Sequence, residues 1–429
     1  MKFPDQQLFD LAHSMGLDPF PTEFHTVPAH VLYDVASRGM PGRYSHWAHG
    51  RDWFHEITKH NHGMGRIYEL VINSNPSHAF LLDVNSDVIN LMVQVHVLGH
   101  TDFFQHNRLF AETRRDMPEL AVLRAERLRQ YEEKHGVETV EKFLDAVLTL
   151  EWYGDPDAYD ATIKTEPTPA PAAYDDLLQL GRVPAAIAVP SYQEQKRFAG
   201  LPTTDLLGFF MAEAPLDDWQ RDVIEIVRAD CLYFWPQIRT KTINEGWASF
   251  WHGKMMHALD LTDGEFTEYA KVNAGVVSAH PGALNPYWLG LKLLADIEKR
   301  FGQDKLFEVR RLETDVSLVR NYLTKELVEE LKLVRYGPRG DYYEVTEDAW
   351  EKVRDGIAND FAARFPVIEL VDKNFNQEGG LLLRHKHDGR GLLKTDALKV
   401  LQLLASLWGR PVYLETVVKD AVDLWSSED

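Results

Sequence analysis

The hydrophobic positions change period several times along the chain, and each change marks an element. Two β-favouring runs, Tyr68 to Ile72 and His78 to Leu82, flank Asn73-Ser74-Asn75-Pro76. Turn residues between two such runs predict a strand pair. Asp83 to Asp87 then offers N-cap candidates, and a helix follows from Val88 to Phe104. Leu91, Met92, Val93, Val95, Val97, Leu98, Phe103 and Phe104 cover nearly every side of it, and a helix apolar all round is buried. Residues 1–65 read as short helices and loops rich in aromatics and histidine, as in "RYSHWAHGRDWFHEITKHNHG". Downstream, "RLFAETRRDMPELAVLRAERLRQYEEKHG" and "VETVEKFLDAVLTLEWYG" have a helical period, and "TEPTPAPAAYDD" breaks it as a Pro/Ala-rich linker. Helices resume at "DLLGFFMAEAPLDDWQRDVIEIVRADCLYFWPQIRT", "INEGWASFWHGKMMHAL" and "NPYWLGLKLLADIEKRFG". In the last stretch, "FPVIELVDKN" and "GGLLLRHKH" read as strands, "KTDALKVLQLLASLWG" as a helix and "RPVYLETV" as a strand, a small ββαβ unit.

The expected fold is therefore α+β, mainly α with a small antiparallel β-sheet. Residues 1–150 carry the strand pair and the buried helix, 151–183 a variable linker or insert, 184–362 a second helical part, and 363–429 the small C-terminal domain.

Composition narrows the partners. The formal net charge of −20 repels nucleic acid and anionic membrane surfaces. The single cysteine, Cys231, excludes an intrachain disulfide framework and a Cys-rich zinc site, and fits a reducing compartment. The N-terminal sequence lacks a basic region followed by an apolar run, so no secretory signal is read there. No apolar run approaches a membrane span. The expected location is the cytoplasm.

The candidate chemistry begins at His96 and His100. Four residues apart on one helix, they lie one above the other on the same face. Buried imidazoles need partners, and a metal satisfies both. The plainer alternative is that each bonds a backbone carbonyl or a carboxylate. Glu245 and His252, seven apart on a later helix, share a face to within ~20°, with Ser249 between them. A strand, a two-histidine helix and a glutamate on a later helix is the order of parts in gluzincin metallopeptidases, whose later glutamate is the third ligand. By that resemblance the fold has a zincin-like helical core, and the ligands are His96, His100 and Glu245 around a divalent metal, zinc first, with an open position for water. Asp102, Asn107 and Asn244 are candidate acceptors behind the histidines.

Zincins carry a glutamate after the first histidine, and here Val97 stands there. The base then comes from elsewhere, with Asp102, His252 and His106 as candidates in that order, or the metal alone activates water, or the site binds metal without hydrolysis. Tyr287 is the preferred oxyanion donor, with His280 as a second choice. His46 and His49 are assigned to packing.

"VINSNP", "HVLGHTDFFQHN", "APLDDWQRDVIEIVR", "NEGWASFWH", "NPYWLG" and "LLLRHKHDGRG…LWGRPVYLET" together resemble the SpoVR family, stage V sporulation protein R, from Tyr33 to Thr416. "LEWYGDPDAYDATIKTEPTPAPAAYDD" matches no block of that pattern. The resemblance implies a role in spore cortex or cell-envelope physiology, in bacteria that form spores and in others that do not. Two classes of function follow. One is a metal-dependent hydrolase of a peptide, an amide or a peptidoglycan precursor. The other is a non-catalytic metal-binding, scaffold or regulatory protein of sporulation or stress. Val97 favours the second, and the polar residues Asp102, His106, Ser249 and His252 around the candidate site favour the first. The C-terminal domain, with its "RHKHDGR" cluster, carries no catalytic signature and is a candidate docking element for a protein partner.

Overall fold

The computed structural model describes residues 3–61, 69–155, 203–279, 284–339 and 342–429. His280 and the Pro/Ala-rich stretch expected to be a linker lie outside them. In chain order the elements are α1 (Asp5–Ser14), β1 (Thr22–Val27), α2 (Ala29–Arg38), α3 (Trp47–Asn61), β2 (Glu69–Ile72), β3 (Ser77–Leu82), α4 (Asp87–His106), α5 (Met117–His135) and α6 (Val137–Leu148). There follow α7 (Leu206–Glu213), α8 (Asp218–Arg239), α9 (Lys241–Ala258), α10 (Asp263–Val276), α11 (Pro286–Phe301), α12 (Gln303–Leu312), α13 (Asp315–Tyr322) and α14 (Lys325–Leu331). The chain ends with β4 (Arg335–Arg339), β5 (Tyr342–Glu347), α15 (Trp350–Ala362), β6 (Ile368–Phe375), β7 (Gly380–His385), α16 (Lys394–Trp408), β8 (Val412–Val418) and β9 (Ala421–Ser426). The fold is mostly helical with small sheets, an α+β chain. Among the described residues no helix is long and apolar enough to cross a membrane.

Two compact units result. The first comprises Met1–Arg129 and Tyr233–Arg364, the second Gln130–Leu232 and Phe365–Asp429.

In the first unit the strand pair is part of a three-stranded sheet of order β1-β3-β2. The expectation of an antiparallel sheet needs correcting: β2 runs antiparallel to β3, but β1 runs parallel to it, so the sheet is mixed. β1 arises in a stretch read as helices and loops. Its "TEFHTV" places Thr22, Phe24 and Thr26 on one face and Glu23, His25 and Val27 on the other. Polar residues on both faces mask the alternation. The parallel pairing is made possible by the long crossover through α2, α3 and β2.

α4 matches the expected helix closely. Ser86 caps it by accepting from the Ile89 N–H, Asp87 occupies its first turn, and every residue from Val88 to Phe104 is buried. It is the central rod of the main core, which also draws Trp247 and Trp251 from α9, Leu289, Leu293 and Leu294 from α11, and Ala79 and Leu81 from β3.

The second unit contains the expected ββαβ order with one strand more. Its sheet has the order β6-β7-β8-β9, with β7 and β8 parallel across the α16 crossover. β9 joins β8 through Lys419-Asp420, both at positive φ (50° and 64°), a tight hairpin made without glycine. That missing glycine is why the strand was not anticipated.

Glycine sets the closest helix crossing. A Cβ on Gly290 of α11 would overlap the Thr242 carbonyl of α9, and one on Gly246 would overlap the Gly290 backbone. Backbone cannot move aside as a flexible side chain does. Gly290→Ala is expected to cost about 1–3 kcal/mol, read as a lower denaturation midpoint. Gly253→Ala, also in α9 but with open space around it, is expected to be neutral or slightly stabilising. Equal effects from the two would contradict this account.

Candidate metal centre

Three elements of the first unit bring chemistry to one place. α4 carries His96 and His100, separated by one turn. The pair meets α9 at Gly99, where an added Cβ would lie 2.7 Å from the Ala248 Cα. This close crossing lets Glu245, just before Ala248 on α9, reach the histidines. Asp315 anchors the start of α9 by accepting from the Thr242 and Ile243 N–H groups at 2.9 Å each. The third element is β2. Glu69 pairs with Leu81 and shares its face with Val71 and Ala79, the face packed into the core with α4.

Glu69, His96, His100 and Glu245 thus form one group, with a ligand atom of each within 4.8 Å of the others. His96 Nε2 lies 3.1 Å from Glu69 Oε1 and 3.6 Å from Glu245 Oε2, and His100 Nε2 lies 3.7 and 3.4 Å from the same two atoms. A tetrahedron of ligands bonded to zinc at about 2.0–2.2 Å has edges of about 3.3–3.6 Å. The separations bracket that range. They also fail as hydrogen bonds at two atoms: His96 Nε2 and Glu245 Oε2 are buried and have no hydrogen-bond partner. These atoms approach each other without their bonding directions aligning, as ligands converging on a common point do. The group could hold a metal ion.

The outer ring nitrogens support that use. His100 Nδ1 contacts Asn244 Oδ1 at 2.9 Å. A carbonyl oxygen only accepts, so Nδ1 donates and the Nε2 lone pair faces the cluster when the ring is neutral. A two-step relay does the same for His96. His252 Nε2 donates to Asn273 Oδ1 at 3.0 Å, so His252 Nδ1 accepts from His96 Nδ1 at 2.8 Å. Burial, then the charge of His96, pushes His252 down to about 3, which keeps it neutral.

Electrostatics without a cation point the same way. Burial disfavours the His100 imidazolium, yet the adjacent Glu245 and Glu69 carboxylates outweigh it and raise the group to about 10. His96 is raised by the same balance, with Glu69 its main counter-charge. Burial disfavours both carboxylates, but the histidines hold Glu69 down at about 2 and Glu245 well below its ordinary value. Lys241 Nζ, 3.4 Å from Glu245 Oε1, offsets part of this negative charge, and protons on the histidines or a bound cation offset the rest.

The other expected site residues divide. Tyr287, near the start of α11, lies with its ring 6.1 Å from that of His96. Burial, then the charges of Glu245 and Glu69, raises its hydroxyl well above 10, so it stays protonated. Ser249 Oγ is buried without a hydrogen-bond partner. Asp102 is engaged elsewhere: fully buried, it accepts from Arg310 at 2.6 and 2.8 Å, Trp247 Nε1 at 2.8 Å and the Asp18 N–H at 2.8 Å. His106 is on that side too, 3.8 Å from Asp102. Asn107 bonds the Arg310 and Glu313 carbonyls, while Asn244 does hold a histidine. The rings of His46 and His49 pack at a tilt against those of Trp47 and Tyr44. Sequence reasoning missed Glu69. Its signal was a carboxylate heading the otherwise apolar "ELVI", in the strand pair that precedes the histidine helix.

Comparison with known proteins agrees with the sequence resemblance. Residues 2–364 match the model of the SpoVR like protein family. The chain belongs to the SpoVR family. In this SpoVR chain residues 366–419 match the SpoVR-like C-terminal domain as well. The chain is similar to the uncharacterized protein YcgB of Escherichia coli (strain K12), 28% identical over 456 residues that cover 94% of this chain and 89% of the relative. No solved structure matches it.

Metal uptake at pH 7 is expected to release about two protons per ion, and affinity is expected to fall as pH falls, because protons on the raised histidines compete. Calorimetry in buffers of different ionisation enthalpy measures this, and uptake without proton release would contradict it. His252→Phe, which breaks the relay, is expected to weaken affinity about 10- to 100-fold. Asp102→Asn is expected instead to cost about 3–5 kcal/mol of stability, since it strands the buried Arg310 charge.

Proposed function

We propose that this SpoVR chain is a metal-dependent hydrolase of a peptide or amide bond, with a peptidoglycan-precursor-like peptide as the substrate class and the cytoplasm as its location. The observation that carries this reading is the buried Glu/His/His/Glu group with two orphaned ligand atoms. His96, His100 and Glu245 hold the ion, zinc being the first choice for two imidazoles and a carboxylate. A divalent ion bound there supplies Lewis acidity toward a carbonyl and activates water at neutral pH.

The protein groups divide the remaining work. Glu69, ionised and 3.1 Å from His96, takes the proton that Val97 cannot take. Tyr287, which keeps its proton, donates a hydrogen bond to the oxyanion. His252 holds His96 in the ligand tautomer and is a positioning residue. A gluzincin-like core is favoured by the order of parts: an edge strand antiparallel to its neighbour, then a helix with His-x-x-x-His, then a glutamate on a later helix. The family's link to the spore cortex supplies the biological setting, and a docking role for the C-terminal domain accompanies it.

One observation favours a non-catalytic reading: four protein groups at tetrahedral spacing can close the ion's shell, as in structural sites. Glu69→Gln separates the two. The metal-loaded chain is assayed on peptides and cell-wall precursor peptides. If Glu69 is the base, the variant keeps its metal and loses about 10²- to 10⁴-fold in turnover, and His100→Ala loses metal and activity together. Absence of turnover by the loaded chain, with Glu69→Gln losing the ion, overturns the hydrolase and leaves the closed site.

A further inference from the structure

The three-stranded sheet has a second cluster on its other face. Alternation along β1 turns Glu23 and His25 to the same side, and the parallel register sets Glu23 beside His78 of β3. Phe24, Ala79 and Leu81 belong to the main core, so the three polar side chains point away from α4 and from the buried centre. Their ligand atoms again lie within 4.8 Å of one another. His25 Nε2 and His78 Nδ1 share a hydrogen bond at 3.1 Å, and Glu23 Oε2 lies 3.8 Å from the first nitrogen and 3.6 Å from the second. These separations lie near the edges of a tetrahedral face about an ion held at 2.0–2.2 Å, about 3.3–3.6 Å. Among the described residues Glu23 forms ion pairs with these two imidazoles only. The Phe80 ring lies beside that of His25 at 5.4 Å.

We propose that Glu23, His25 and His78 form a second metal site, open to solvent, for a borderline divalent ion of the zinc, copper(II) or nickel class. Two imidazoles and one carboxylate select that class over magnesium or calcium, which prefer all-oxygen shells. The side chains are 57%, 39% and 26% exposed, so water completes the shell and the ion exchanges readily. The buried centre, by contrast, has four protein groups. Two of the ligands come from β1 and one from β3, so the ion clasps the parallel pair. β3 in turn pairs with β2, the strand that carries Glu69. Occupancy of the open site therefore stabilises the sheet that positions the buried one, because an ion bound only by the folded chain shifts the folding equilibrium.

The test titrates Co²⁺ and Zn²⁺ into the metal-free full chain, reading stoichiometry by elemental analysis, the visible Co²⁺ spectrum and the melting temperature. Two classes of site are expected, the weaker adding a further rise in melting temperature. The double variant His25→Gln/His78→Gln should lose the weaker equivalent and its thermal shift while keeping the tighter one. Glu23→Gln, at an exposed position, should weaken the same class without disturbing the fold. His100→Ala should lose the tighter class and keep the weaker, which makes failure of either site distinguishable from failure of the other. Stoichiometry and Co²⁺ spectrum unchanged in the double variant overturn the proposal. So does a weaker class that fills only at millimolar metal.

Discussion

Two carboxylates and two imidazoles removed from water in one small volume form the constraint on which the site's architecture turns. Burying a single unpaired carboxylate costs several kcal/mol, and here Glu69 and Glu245 approach the same pair of nitrogens. Neutral imidazoles do not balance them, and the outer hydrogen bonds to Asn244 and His252 aim Nε2 lone pairs at the carboxylates. Two added protons restore neutrality but require Nε2–H bonds directed at carboxylate oxygens, and His96 Nε2 and Glu245 Oε2 lack that alignment. A single divalent ion supplies the same charge and uses the geometry as it stands. The case for a metal thus rests on direction as much as on charge.

That convergence depends on how closely three helices approach. Gly99 against Ala248 joins α4 to α9, and Gly246 against Gly290 joins α9 to α11. Larger residues at either crossing would separate the axes, and packed interiors transmit such shifts. Tyr287 lies one turn before Gly290 on α11, so the second crossing sets its approach to the histidines. Asp315 adds a fixed start to α9 through two backbone bonds. Small residues at the seams and a carboxylate at the helix start convert a hydrophobic bundle into a support of defined geometry, as a metal site requires.

The parts legible in the sequence were those governed by local period. His96 and His100 follow from spacing on an apolar helix, and the α4 boundaries follow from its cap. The C-terminal ββαβ order was equally plain, although β9 hid behind a hairpin turn without glycine. Glu245 was reached through the order of parts in a known class of enzyme, since no local rule brings it to α4. Glu69 was invisible because its role depends on strand pairing and on helices far along the chain. β1 was hidden by polar residues on both its faces, and those same residues, Glu23 and His25, have chemistry of their own. Asp102 is a different case. Two residues beyond His100 it stands about 200° around the helix, so the helical period alone turns it away from the histidine face, toward Arg310 and Trp247.

The valine beside His96 takes on a physical meaning once Glu69 is included. A glutamate at position 97 would add a third carboxylate beside Glu69 and Glu245, which the two histidines and Lys241 already face. Val97 itself is fully buried within the apolar core, where an added carboxylate is costly. The second carboxylate of the group comes from the strand, as Glu69, and not from α4. Val97 keeps a further charge out of the core, and the proposed hydrolase takes its proton acceptor from β2 instead of from α4.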